Sequence, residues 1–201
     1  MILGAGGHAR VVAEIAQLSG KYTDVVFLDD KASENTFPYR CMGKCEDFAD
    51  YLTSYDFFIA IGNATIRRRL QTEVEEANGR IVTLIHPTAI ISKDVTIGKG
   101  TVIMAGAIVN TGAQIGNGVI LNTASSVDHD CIVEDFCHVS VGAHLCGTVH
   151  LGTGTWVAAG AIIINNVTIC SNCLIGAGAT VTHDLLNAGT YKGTPAVYSH
   201  S

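Results

Sequence analysis

The stretch Val127-Asp128-His129-Asp130-Cys131 places an imidazole between two carboxylates. Histidine titrates near neutral pH, and a carboxylate beside it raises its basicity and fixes its tautomer. Such a group can act as a general base, taking a proton from an amine or a hydroxyl as it attacks a carbonyl carbon. From these five residues alone, a surface histidine at a bend of the chain reads equally well. A second chemical grouping is Gly4-Ala5-Gly6-Gly7-His8-Ala9, which fits the GxGxxG/A fingerprint, with Asp29 closing the next strand. Glycines let the backbone approach a diphosphate, a helix start offers it free N–H groups, and the carboxylate receives ribose hydroxyls. The motif does not say which diphosphate, and a glycine turn that only packs a helix on a sheet is the plain alternative.

Metal chemistry fits poorly. His138, His144 and His150 follow one another at steps of six, and the three-sided coil that the resemblance given below implies would put each on a different side. A zinc-dependent hydratase would need them to converge across subunits. Cys41 and Cys45 have no second Cys/His pair at zinc spacing, so no metal is expected. The chain holds 7 cysteines, an odd number that argues against a closed disulfide framework and for a reducing compartment.

Two kinds of element must position these groups. Residues 1–84 alternate short apolar runs with helical stretches. Met1–Leu3 and Val25–Leu28 are strands; between them Val11, Val12, Ile15 and Leu18 mark one helical face, ended by Gly20. Phe57–Ile61 is another strand, Thr65–Ala77 a helix, and Ile81–Leu84 a last run. This βαβ pattern predicts a small Rossmann-like parallel sheet. Arg67-Arg68-Arg69 reads as a solvated helix face. From residue 85 the grammar changes. Seventeen positions six apart, from Ile85 through Leu121, Val127 and Val139 to Val181, are all aliphatic. The slot two residues earlier holds only Ala, Val, Thr, Ser or Cys, so Cys131, Cys137 and Cys173 read as small packing residues. The domains are thus 1–84 and 85–201.

Composition narrows the partners. In 201 residues, 15% are charged and 48% hydrophobic, which rules out a disordered chain. A formal charge of −6 leaves no basic surface for a phosphate backbone, which argues against nucleic acid. No apolar run approaches the ~20 residues of a membrane-spanning helix. A glycine motif follows Met-Ile-Leu directly, so the expected location is the cytoplasm without membrane insertion.

The six-residue period resembles the hexapeptide-repeat family, in which three repeats form one coil of a left-handed parallel β-helix. The resemblance extends to the whole chain. Phe27-Leu28-Asp29-Asp30, the run Tyr55–Asn63 and Phe136–Ala143 resemble sugar acetyltransferases that join a small nucleotide-binding domain to such a helix. These include bacterial enzymes that N-acetylate UDP-linked 4-amino-4,6-dideoxy sugars in the bacillosamine pathway. The resemblance implies acetyl-CoA as co-substrate and a homotrimer with active sites between subunits. It also implies His129 as base with Asp130, where the family often has Glu. Nucleotide-sugar contacts would fall at Gly6, Gly7, His8, Asp29, Asp30 and Gly62, with Asn122 near the sugar. Acetyl-CoA contacts would fall at His138, Ala159 and Ala177. GDP-perosamine N-acetylation and sialic acid O-acetylation are the alternatives within the class, and a non-catalytic nucleotide-binding module is the alternative outside it.

Overall fold

The computed structural model describes residues 1–31 and 39–199. Contacts divide the chain into two units, Met1–Pro87 and Thr88–Ser201.

In the first unit the order is β1 (Ile2–Leu3), α1 (Gly7–Leu18), β2 (Phe27–Leu28), a 3-10 helix (Cys45–Tyr51), β3 (Phe58–Ile59), α2 (Ala64–Glu76) and β4 (Leu84–Ile85). Strands β2, β1 and β3 form a parallel sheet in that spatial order, with Ile2 opposite both Phe27 and Phe58. Single bridges, Phe27 to Cys41 and Phe57 to Ile81, extend its two edges. Leu3, Leu28, Phe57, Ile59, Leu70 and Val74 fill one core between sheet and helix.

Two sequence expectations are corrected here. The buried face of α1 is Ala9, Val12, Ala13 and Ala16 with Ile15, while Val11 and Leu18 are 40% and 51% exposed. Residues 9, 12, 13 and 16 follow the i, i+3, i+4, i+7 stripe, and alanines let the helix lie close to its neighbours. The arginine run is not one solvated face either. Arg68 and Arg69 are exposed, but Arg67 is 1% exposed, because it lies on the same helical stripe as Leu70, Gln71 and Val74.

The second unit is a left-handed β-helix; with its leading strand it has about six turns. Every aliphatic repeat position is the second residue of a two-residue strand, from Leu84–Ile85 to Thr180–Val181. Strands pair in parallel with the strand 18 residues on, as in Ile120 with His138, His138 with Trp156, and Trp156 with Leu174. One coil is therefore three hexapeptides, and three sheets make the faces of a prism. From Ile103 onward every repeat aliphatic is buried; Ile85, Ile91 and Ile97, at the leading end, are only partly covered. Cys131, Cys137 and Cys173 are buried in the small-residue slot, and burial pushes the Cys131 thiol up to about 11 and that of Cys173 to about 12. Neither is a ready thiolate. All seven cysteines are free.

The prism turns its corners through left-handed backbone at every sixth residue. Gly100, Gly106, Gly112 and Gly118 occupy it first, then Ala124 (φ 54), Asp130 (φ 58) and Phe136 (φ 59). Each corner is tied to the coil before it, as where the Asp130 N–H donates to the Thr111 carbonyl at 3.0 Å. Among the described residues no helix is long and apolar enough to cross a membrane.

Candidate active site

The corner after Ser126–Val127 carries His129. Its Nδ1 lies 2.9 Å from Asp130 Oδ2, with both side chains more than half exposed. A carboxylate accepts, so Nδ1 carries the proton and Nε2 keeps the lone pair of the neutral ring. The hydrogen bond that His129 donates to Asp130 holds the imidazole pKa above its ordinary value; desolvation opposes this, and the charges of Asp128 and Asp130 add to it. Asp128 is itself organised: its Oδ1 accepts from Asn110 Nδ2 and from the His129 N–H, each at 2.8 Å. Those bonds keep its carboxyl below the usual range.

Two glycines make room for this dyad, and sequence reasoning missed both. A Cβ at Gly147, one coil after His129, would overlap the imidazole, and one at Gly112, one coil before Asp130, would overlap the carboxylate. The 18-residue step from the dyad was the available signal.

His138 lies on a different face, between Ile120 and Trp156 in the register of its sheet. Its ring stacks on Trp156, centroids 5.7 Å apart and planes within 1°, and Trp156 Nε1 donates to Ser140 Oγ at 2.7 Å. Asn122 Nδ2 lies 3.2 Å from His138 Nε2. The structure thus joins Asn122 to His138, two residues the resemblance assigned to different ligands. Ala159 and Ala177 stand exposed one coil apart on the corner after that face, with the Ala159 carbonyl already accepting from Gly178. Their N–H groups have no acceptor among the described residues. His138, His144 and His150 lie on three different sheets. Among the described residues no three His, Cys, Asp or Glu side chains gather as metal ligands.

In the first unit, Gly4 leaves β1 at φ 97, a conformation that favours glycine, and a Cβ there would lie 3.0 Å from the Ala60 carbonyl oxygen. Gly6 is the N-cap of α1, and neither acid nor side-chain cap occupies its first turn. Ala5 N–H donates to Asp29 Oδ2 at 2.6 Å and Lys31 N–H to Oδ1 at 2.7 Å, so Asp29 ties the end of β2 to the glycine turn. Asp30 Oδ1 accepts from Cys45 N–H at 2.9 Å. His8 Nε2 is buried with no hydrogen-bond partner. Burial, and then the charge of Arg67, push the His8 pKa down to about 4, so its ring is neutral at pH 7. Arg67 Nη1 donates to the Ile61 and Gly62 carbonyls, both at 2.8 Å. The turns after β1 and β3 are neighbours at the point where strand order reverses, the place at which open α/β sheets take their ligands.

Comparison with known proteins gives these sites a context. Residues 1–74 match the PglD N-terminal domain, and residues 148–183 match the bacterial transferase hexapeptide (six repeats). The acetyltransferase domain of PglB from Neisseria gonorrhoeae FA1090 is 37% identical, covers 98% of each chain and superposes with a TM-score of 0.96. This chain belongs to the hexapeptide-repeat sugar acetyltransferases that carry an N-terminal nucleotide-binding domain.

That PglB domain is also known in complex with acetyl coenzyme A. A perosamine N-acetyltransferase variant from Caulobacter crescentus, solved with CoA and GDP-perosamine, is 31% identical over 100% of this chain and 96% of its own, with a TM-score of 0.95. The UDP-N-acetylbacillosamine N-acetyltransferase of Bacillus subtilis (strain 168) is 34% identical over 107 residues, 50% of this chain and 48% of that protein. The match thus spans about half of that curated relative.

Proposed function

We propose that this protein is an acetyl-CoA-dependent N-acetyltransferase acting on the 4-amino group of a UDP-linked 4-amino-4,6-dideoxy sugar, in bacterial glycan biosynthesis in the cytoplasm. The observation that carries the reading is the His129–Asp130 hydrogen bond, which leaves a raised-pKa imidazole with a free Nε2 on a scaffold 37% identical to an acetyltransferase domain. The sugar amine attacks the thioester carbonyl and its proton passes to His129 Nε2. Asp130 steadies the imidazolium that forms, and the C–S bond breaks as the C–N bond is completed. The CoA thiolate leaves and takes up a proton. No covalent intermediate on the enzyme is needed.

The substrate residues in this reading are Gly6, Gly7, His8, Asp29, Asp30 and Gly62 for the nucleotide, with Asn122 near the sugar. The acetyl-CoA residues are His138 and the N–H groups of Ala159 and Ala177. The active assembly is a homotrimer of parallel prisms with each site shared by two subunits. The likeness to a perosamine N-acetyltransferase supports a second reading, a GDP-linked amino sugar, with the same base.

The test is thiol release from acetyl-CoA with UDP-4-amino-4,6-dideoxy-GlcNAc, GDP-perosamine and sialic acid, each with wild type and His129→Ala. Turnover of the UDP-sugar that disappears in the variant is the expected result. Turnover of another panel member moves the substrate but keeps the chemistry. Full activity in His129→Ala overturns the assignment of the base.

A further inference from the structure

The three arginines that open α2 are alike in sequence, but Arg67 is buried and grips two carbonyls at the exit of β3. A trans peptide unit is planar, and its N–H points opposite to its C=O. The peptides after Ile61 and Gly62 are trans, the cis bond among the described residues being Thr194-Pro195. Fixing the Ile61 and Gly62 carbonyls on the guanidinium therefore turns the N–H groups of Gly62 and Asn63 away from it. Neither N–H has an acceptor among the described residues, and neither have those of Gly6 and Gly7. Space is available on both turns: a Cβ at Gly6 or at Gly62 would meet no heavy atom within 4 Å. His8 Nε2, on the residue after Gly7, is buried and likewise has no hydrogen-bond partner among the described residues.

We propose that Arg67 is a positioning residue for the nucleotide-sugar, holding the Ile61 and Gly62 carbonyls so that the Gly62 and Asn63 N–H groups form the second half of a diphosphate cradle begun by Gly6 and Gly7. The proposal rests on the nucleotide-sugar reading above. Both carbonyls accept from the one nitrogen Nη1, whose two N–H directions the planar guanidinium fixes, whereas the ammonium of lysine turns freely on its flexible stem. Carbonyl oxygens left unheld would be free to turn toward the phosphates and repel them.

The experiment is calorimetric titration of the full chain with UDP and with GDP, alongside steady-state kinetics, for wild type, Arg67→Lys and Gly62→Ala. The alanine adds a methyl group in open space beside the N–H at issue, so it keeps the test valid if the buried arginine variant fails to fold. Loss of oriented hydrogen bonds to a charged ligand in Arg67→Lys, and a methyl group in the space the phosphates would fill in Gly62→Ala, predict nucleotide binding weakened by about ten-fold or more in both variants. The KM for the nucleotide-sugar should rise in step, while kcat at saturation and the KM for acetyl-CoA hold. An arginine serving stability alone would lower the melting temperature and leave the nucleotide Kd unchanged. A Kd within about two-fold of wild type in both folded variants overturns the proposal. Wild type that binds neither nucleotide overturns it as well. Wild type that binds UDP, with the variants weakened, but acetylates no nucleotide-sugar upholds the cradle and removes the proposed activity instead.

Discussion

Replacing Asp130 by glycine separates the chemistry of this corner from its architecture. Asp130 holds φ 58, the left-handed conformation that glycine takes at Gly100, Gly106, Gly112 and Gly118 along the same prism. A non-glycine residue there costs about 1 kcal/mol, less for aspartate than for most. Glycine relieves that strain but adds about 0.5–1 kcal/mol of backbone entropy to the unfolded chain. The two terms nearly cancel, so Asp130→Gly should change stability by less than about 1 kcal/mol and the melting temperature by less than about 4 °C. The carboxylate contributes little else to the fold, being more than half exposed with His129 as its hydrogen-bonded partner. Catalysis is expected to fall by about 10²-fold or more, since the base loses both its orientation and its fixed tautomer. The pH profile carries the sign. Asp130 raises the His129 pKa, so wild-type kcat/KM falls away below a pH higher than an ordinary histidine would give. Without the carboxylate that acid limb moves to lower pH. Thermal unfolding and thiol-release kinetics between pH 5 and 9 are the assays. A large loss of stability would make Asp130 structural, and an unshifted acid limb would refute the dyad.

Gly147→Ala should displace the His129 ring, because the new methyl group overlaps it; kcat should drop while acetyl-CoA affinity, measured by titration, is retained. Leu121 is fully buried in the prism, so Leu121→Ala should cost about 2–5 kcal/mol and lower the denaturation midpoint accordingly. Trp156 is the only tryptophan, 48% exposed and stacked on His138, so its fluorescence should change on adding acetyl-CoA. Trp156→Phe should retain part of the stack but lose the bond to Ser140, and should raise the KM for acetyl-CoA without shifting the acid limb set by His129.

The prism was legible because its interior admits one answer. Each repeat aliphatic must point inward and each small residue must clear a tight bend, so Ile103, Leu121 and Val139 could be placed by counting. The His129–Asp130 bond was legible only in part: two carboxylates flank the ring in sequence, and adjacency does not decide that Asp130 takes Nδ1 while Asp128 takes the His129 N–H. Arg67 was not, because a charge run normally marks water. Only the stripe it shares with Leu70, Gln71 and Val74 distinguishes it from Arg68 and Arg69, and a cation on a buried stripe makes sense once the carbonyls it satisfies are known. The face of α1 was misjudged because large aliphatics were weighted above alanines, although Ala9, Ala13 and Ala16 are the residues that permit close approach. The pairing of Asn122 with His138 depends on 16 residues of intervening coil and carries no local signal.

A repeat scaffold of this kind leaves chemistry few places to stand. The interior is committed to packing, and backbone hydrogen bonds occupy the strands from one coil to the next. What remains is the outward residue of each strand and the corners. Corners are costly for any residue but glycine, and asparagine at Asn166 and Asn172 is the usual cheap substitute. Ala124, Asp130, Phe136 and Thr148 break that rule in the central coils, the same coils that carry His129, Asn122 and His138. At Asp130 the reason is visible: no glycine could hold His129 Nδ1, and Gly112, at the equivalent corner one coil earlier, leaves the space its carboxylate fills. The departure from the low-strain residue and the proposed base therefore coincide at one position, which is the pattern expected when backbone strain is retained for what the side chain does rather than for stability.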